Sequence, residues 1–344
     1  MSQLPTSMRA CVLTAPRRLE IQERRLPVPA DDEVLIAVTA VGVCGSDVHF
    51  WHEGKLGDWV VNEPLVLGHE SGGRIVAVGA QVSSDRIGQR VSIEPQRPHP
   101  SSAETLAGHY NLDPAMRFYA VPGTDGAFAE YVTIQSHFAW PVPNSVSDDA
   151  AALLEPLSVA IATARKAHFA PGDRILIAGA GPIGILIAQT ARAYGASDIY
   201  ISDPSQQRRD QALALGATHT LDPQTDTIGE LGLAVDAFID ASGAASAVRQ
   251  GILEVRSAGH VVLVGMGAAE FPLPITVIQN RELLVTGAFR YANTWPTAID
   301  LVRRGLIDLD SMVTGHFGLS DVDAALASTT QPGVLKSIVT PQTT

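Results

Sequence analysis

Cysteine is nearly absent, with two residues, Cys11 and Cys44, in a chain of 344. That leaves no room for a disulfide framework. Cys11 sits in the strand-like apolar "MRACVLT", where free buried thiols are common, so two reduced cysteines are expected. Positive charge is also short: 24 Lys and Arg stand against 36 Asp and Glu, a formal net charge of −12. The basic groups "PRR", "ERR" and "VRR" are scattered, which argues against a nucleic-acid partner. The N-terminus shows no basic leader followed by an apolar run and a small-residue cleavage site. Nor is there a membrane-length apolar run. "RILIAGAGPIGILIAQTA" is broken by Gly and Pro after a strand's length and reads as strand, turn and helix. A cytoplasmic protein with no membrane partner is expected.

The rest of the composition, 46% hydrophobic and 17% charged, is that of a globular chain, long enough for about two domains. The first 150 residues carry short β-branched runs ("EVLIAVTAVGV", "GGRIVAVGA", "RVSIEP", "FAEYVTI") punctuated by Gly, Pro and Asp. They predict an all-β barrel. From about Ala160 strands and helices alternate: "RILIA", "DIYIS", "VDAFIDAS" and "HVVLVG" are separated by helical segments. This predicts an α/β unit with a doubly wound parallel sheet. After about Leu284 the alternation stops, so a nucleotide-binding domain is read as inserted between two parts of a catalytic one.

"GAGPIG", Gly179–Gly184, follows a strand and opens a helix, the context in which G-x-G-x-x-G holds a dinucleotide. Gly179 permits the turn, and Gly181 lets the backbone approach the pyrophosphate beside Pro182 and Ile183. Gly184 permits close helix–strand packing. Asp203 ends the next strand, the usual place for an acid that bonds ribose hydroxyls and repels a 2′-phosphate, so NAD is expected over NADP. Arg208 and Arg209 are the contrary signal, read either as solvated residues of a helix face or as partners of the adenine end.

Cys44 lies in "VGVCGSDVHFW", and His69 and Glu70 follow in "VLGHESGG". A thiolate, an imidazole and a carboxylate suit a zinc ion with an open coordination position. The chain resembles the zinc-dependent medium-chain alcohol dehydrogenase superfamily over essentially its whole length. "CGSDVHFWHEG", "VLGHESGG", "LLEPLSVA" and "GAFRYANTWP" place it nearest the polyol branch of sorbitol and xylitol dehydrogenases.

The resemblance implies a GroES-like β-barrel catalytic domain, 1–155 and 287–344, with a Rossmann NAD-binding domain, 156–286. It implies zinc ligands Cys44, His69 and Glu70, with Glu155 holding the zinc-bound water or joining the metal. The plainer alternative for Glu155 is a helix-start carboxylate. Asp47 would orient His69, and Ser46 and His49 would pass a proton to solvent. Phe50, Arg290 and Tyr291 would meet the substrate; Val264, Gly265, Phe289 and Arg290 would meet the coenzyme. Trp295 reads as a core aromatic. The implied reaction is reversible oxidation of a secondary hydroxyl of a sugar alcohol to a ketose. Xylitol to D-xylulose comes first and sorbitol to fructose second, with L-arabinitol and galactitol open.

Relatives with a structural zinc carry four cysteines where this chain has His99, Ser102, Thr105 and Asp113, so one catalytic zinc and no structural zinc is expected. Hydrogen bonds and packing are expected to hold that lobe instead. Rival readings are a threonine- or butanediol-type substrate, a zinc-free quinone reductase, and a non-enzymatic nucleotide-binding protein. The resemblance also implies a homo-oligomer, a tetramer before a dimer, with a strand near "HVVLVGMG" pairing between subunits.

Overall fold

The structure, a computed structural model, describes residues 4–342. The chain forms two compact units, Met1–Glu155 with Leu309–Thr344, and Pro156–Asp308. In the first, the strand Glu33–Gly42 is the hub of a seven-stranded sheet. It pairs antiparallel with Glu70–Val78, Tyr131–Gln135 and Lys336–Thr340, and Arg90–Ile93 and Val313–Gly318 extend the sheet outward. Its sequence, EVLIAVTAVG, is buried along nearly its whole length, because core side chains cover both faces. A second sheet of Ser7–Ala15, Arg18–Arg25 and Leu65–Val66 closes over the same core. Cys11 lies inside that core, where burial pushes its thiol up to about 12, so it stays protonated.

The second unit is a six-stranded, wholly parallel sheet. Its order across the sheet is His219–Leu221, Asp198–Ser202, Arg174–Ala178, Val235–Asp240, Val255–Leu263, Leu284–Gly287. Chain order reverses beside Arg174–Ala178, and ligands of doubly wound sheets bind at the carboxyl end of such a switch point. The near-continuous apolar reading of these strands follows from helices covering both faces.

Two expectations need correction. The return to the first unit comes at Leu309 and not at 287. Leu284–Gly287 is a sixth parallel strand, and the stretch after it stays with this unit through hydrogen bonds. Ala288 N donates to Leu263 O at 2.9 Å, Arg165 to Asn293 O at 2.9 Å, and Asp308 N to Gln189 Oε1 at 2.8 Å. The short strand escaped notice because it is only four residues long, LVTG, and largely exposed. For the same reason the strand of "HVVLVGMG" is no free edge, since it is paired on both sides. The edge is Leu284–Gly287, with Leu284 60% exposed. Trp295, the first residue of the helix Trp295–Arg303, is fully buried as a core aromatic.

Candidate active site

Strand register assembles the metal-capable residues. Gly42 pairs with Glu70 on one side, and the same strand end pairs with Ile338 on the other. Cys44 follows just beyond Gly42, His69 precedes Glu70, and Lys336 opens the strand that holds Ile338. A Cβ on Gly42 would stand 2.2 Å from Glu70 Oε2, so the carboxylate lies over a position where any larger residue would displace it. One ligand atom each from Cys44, His69 and Glu70 lies within 4.8 Å of the others; no other such group of three occurs among the described residues. This soft and hard donor set fits zinc with room for a further ligand.

Asp47, fully buried in the first turn of the helix Gly45–Glu53, binds the two ligand loops together. Its Oδ2 accepts from Cys44 N at 3.1 Å and its Oδ1 from Gly68 N at 2.9 Å, with His69 Nδ1 at 3.6 Å. Burial pulls the His69 pKa down, but Asp47 and Cys44 push it up harder, and it stands well above its ordinary value. The anionic surroundings thus favour a cation at this point.

Glu155 is 4% exposed and lies well inside the helix Asp148–Lys166, which excludes the helix-start alternative. It stands outside the three-ligand group but acts electrostatically on Lys336 and Glu94. Ser46 is half-buried. His49 lies on the helix surface 3.6 Å from Glu53. Phe50 is 2% exposed and belongs to the first unit's core, because its helix turns that face inward. Tyr291 is 1% exposed and packs edge-on against Trp295 at 5.1 Å.

Sequence reasoning missed Lys336 and Glu94. Lys336 Nζ, 3% exposed, donates to both Glu70 oxygens and to Val43 O. The detectable signal was a lone lysine heading an apolar strand, "KSIVT", since a buried lysine needs partners. Glu94 is fully buried, and burial raises its pKa to about 7. It accepts from Tyr110 Oη at 2.7 Å, Trp140 Nε1 at 2.8 Å and Gln96 Nε2 at 3.1 Å.

That network anchors the lobe lacking four cysteines. Within it Asp113 accepts from His99 N at 2.5 Å and Ala115 N at 3.1 Å, and Ser102 Oγ donates to Thr105 Oγ1 at 2.8 Å. Burial raises the Asp113 pKa, but the two backbone N–H groups outweigh it and hold the carboxyl below its ordinary range. Each of these four side chains has a hydrogen-bond partner within the lobe, the His99 ring through Ser101 Oγ at 3.2 Å.

In the second unit the glycines have distinct surroundings. Gly179 has φ +98°, and a Cβ on Gly184 would lie 1.9 Å from Gly179 O. A Cβ on Gly181 would meet nothing within 4 Å, so the backbone is open at the N-terminus of the helix Pro182–Ala193, where an anion is favoured. Pro182 and Ile183 form its first turn. Asp203, 5% exposed, accepts from Ala180 N at 2.9 Å and Ser205 N at 2.8 Å, holding the glycine loop to the next strand. Arg209 is no solvated residue: it is 7% exposed, donates to Asp203 O and pairs with Asp222 at 2.9 Å. Arg208 remains partly exposed beside it. Val264 and Gly265 donate to Asp240 O at 2.9 Å, and Arg290 stacks its guanidinium 4.8 Å from the centre of the exposed Phe289 ring.

Among the described residues no helix is long and apolar enough to cross a membrane. Residues 30–144 match the alcohol dehydrogenase GroES-like domain, and residues 182–304 match the zinc-binding dehydrogenase family. The chain is 36% identical to a Bacillus subtilis sorbitol dehydrogenase, over 94% of each chain. It is also 36% identical to a probable D-xylulose reductase A of Emericella nidulans, over 98% of each. Among solved structures, a short chain alcohol dehydrogenase from E. coli CFT073 complexed with NADH is 27% identical. It superposes with a TM-score of 0.92 over 98% of this chain and 100% of that one. A putative zinc-binding dehydrogenase from Sinorhizobium meliloti bound to NADP is 28% identical, with a TM-score of 0.91 over 98% and 100%. With a thiolate–imidazole–carboxylate cluster in one unit and a glycine-loop parallel sheet in the other, the chain belongs to the zinc-dependent medium-chain alcohol dehydrogenase family.

Proposed function

We propose that this oxidoreductase is an NAD-linked polyol dehydrogenase that reversibly oxidises a secondary hydroxyl of a sugar alcohol to a ketose. The observation that carries the reading is the convergence of Cys44, His69 and Glu70 within 4.8 Å in a chain whose relatives bear polyol names. These three residues would hold one zinc, with the buried Glu155 as the candidate to orient what binds there or to join the metal. The metal, when bound, supplies Lewis acidity to the substrate oxygen, and the dinucleotide supplies the hydride acceptor. Asp47 fixes His69, while Ser46 and His49 offer a route by which the hydroxyl proton reaches solvent.

Asp203 follows the strand Asp198–Ser202, the usual position of an acid that bonds ribose hydroxyls and repels a 2′-phosphate, and this supports NAD over NADP. Gly179, Gly181, Gly184, Val264, Gly265 and Arg208 would frame the dinucleotide, with Phe289 and Arg290 as candidates for coenzyme contact and Phe50, Arg290 and Tyr291 for substrate contact. Xylitol and sorbitol are the first two substrates to test, since relatives of both kinds match at 36% identity. The test is reduction of NAD, and of NADP in parallel, with xylitol, sorbitol, L-arabinitol, galactitol and simple alcohols. Selective turnover of a polyol with NAD supports the reading. Silence on every polyol in zinc-replete, NAD-binding protein overturns it.

A cytoplasmic homo-oligomer, tetramer before dimer, completes the proposal. Its pairing surface is the Leu284–Gly287 edge, where Leu284 and Val285 are exposed. Leu284→Lys should shift the sedimenting mass towards the monomer, and an unchanged mass would remove this edge from the assembly.

A further inference from the structure

Lys336 has no part in the reading above, yet its ammonium lies deep in the first unit. It is 3% exposed and donates to Glu70 Oε1 at 2.5 Å, Glu70 Oε2 at 2.6 Å and Val43 O at 3.0 Å. All three of its N–H donors are therefore engaged. Val43 is the neighbour of Cys44, and Glu155 adds a further negative charge within electrostatic reach. A compact cation thus sits against both oxygens of one candidate metal ligand and beside the backbone of another.

The charge of this contact sets it apart. The outer partner of an imidazole ligand accepts its N–H and raises the ligand's basicity, whereas the partner of a carboxylate ligand must donate. Lys336 donates and carries a full positive charge. It draws electron density away from Glu70 and repels a dication. Nor does Glu70 depend on Lys336 alone for its place, since strand pairing with Gly42 and the missing Cβ there already confine it.

We propose, on the reading that Cys44, His69 and Glu70 bind zinc, that Lys336 is a positioning residue acting as a resident counter-cation. It stabilises the carboxylates of the metal-free site and thereby lowers the site's affinity for zinc. The two effects are linked, because whatever stabilises the metal-free chain more than the metal-bound one weakens binding by the same free energy.

The experiment is a zinc titration of the native chain, Lys336→Met, Lys336→Gln and Lys336→Arg against a chromophoric chelator, with thermal unfolding of each metal-free protein. Cobalt absorption monitors the Cys44–metal bond. The expected result is zinc bound at least roughly tenfold tighter by the Met and Gln variants, with a lower metal-free melting temperature and the cobalt–thiolate band retained. Lys336→Arg should stay near native in both measures. If the Met variant does not fold, the Gln variant, which keeps a neutral donor to Glu70, decides. Unchanged or weaker zinc binding in a folded neutral variant overturns the proposal, because a merely structural lysine would act in that direction. A native chain that binds no zinc overturns the metal-site reading itself, and this proposal with it.

Discussion

Two clusters in the first unit are built on opposite terms. At Cys44, His69 and Glu70 the donors are lone pairs and negative charge, and the partners around them, Asp47 and Glu155, add more. Lys336 is the cation found among them. In the lobe around His99, Ser102, Thr105 and Asp113, acceptors are matched to N–H and O–H donors of the same loop. The first cluster has an excess of negative charge and is suited to a metal; the second satisfies itself. A metal site is therefore recognised less by which residues approach one another than by whether their charges and hydrogen bonds already balance.

The strongest way to break this contrast is Cys44→Ser. Zinc content should fall from one per chain towards none, and polyol turnover by at least about a hundredfold. A variant that keeps its zinc would erase the distinction. Next comes conversion of the second cluster to the first kind. Replacing His99, Ser102, Thr105 and Asp113 with cysteine should add a second zinc and raise the melting temperature by roughly 5 °C or more. A correctly folded quadruple variant still holding one zinc would show that the lobe's backbone cannot form a tetrahedral site.

Asp113→Asn sharpens the contrast from the other side. It weakens the bonds to His99 N and Ala115 N and should lower the melting temperature by roughly 2–4 °C, with zinc content unchanged. The folded Asp113 pKa is depressed, so its contribution is complete above the ordinary carboxylate range. It is lost as pH falls through the lower folded value. A further, pH-dependent effect is expected at Glu94, whose folded value of about 7 lies above its ordinary one. Its ionisation opposes folding as pH rises between about 5 and 8. The melting-temperature difference between the native chain and Glu94→Gln should therefore narrow or reverse over that range, and a flat difference would show that Glu94 does not titrate there.

The glycine loop was readable because its requirements are local. Gly179, Gly181 and Gly184 meet a turn, an open helix end and a close contact within a few residues of each other. The main strands of the parallel sheet were readable for the same reason, as apolar runs between turns. The sixth strand was not, because "LVTG" at an exposed edge lacks the apolar run that marks a buried one. The burial of Phe50 and Tyr291 was not readable, because an aromatic near a site looks the same in sequence whether it faces the site or the core.

The sequence by itself determined the two-part chemistry: a thiolate–imidazole–carboxylate set in a β-rich region, and a dinucleotide loop opening a helix in an alternating one. Tertiary structure decided what surrounds that chemistry. Only strand pairing at Gly42 brings a lysine near the C-terminus onto Glu70. Only the folded lobe shows that four residues in cysteine positions satisfy one another. Burial and electrostatic balance depend on contacts between segments remote in the chain, and no local pattern encodes them.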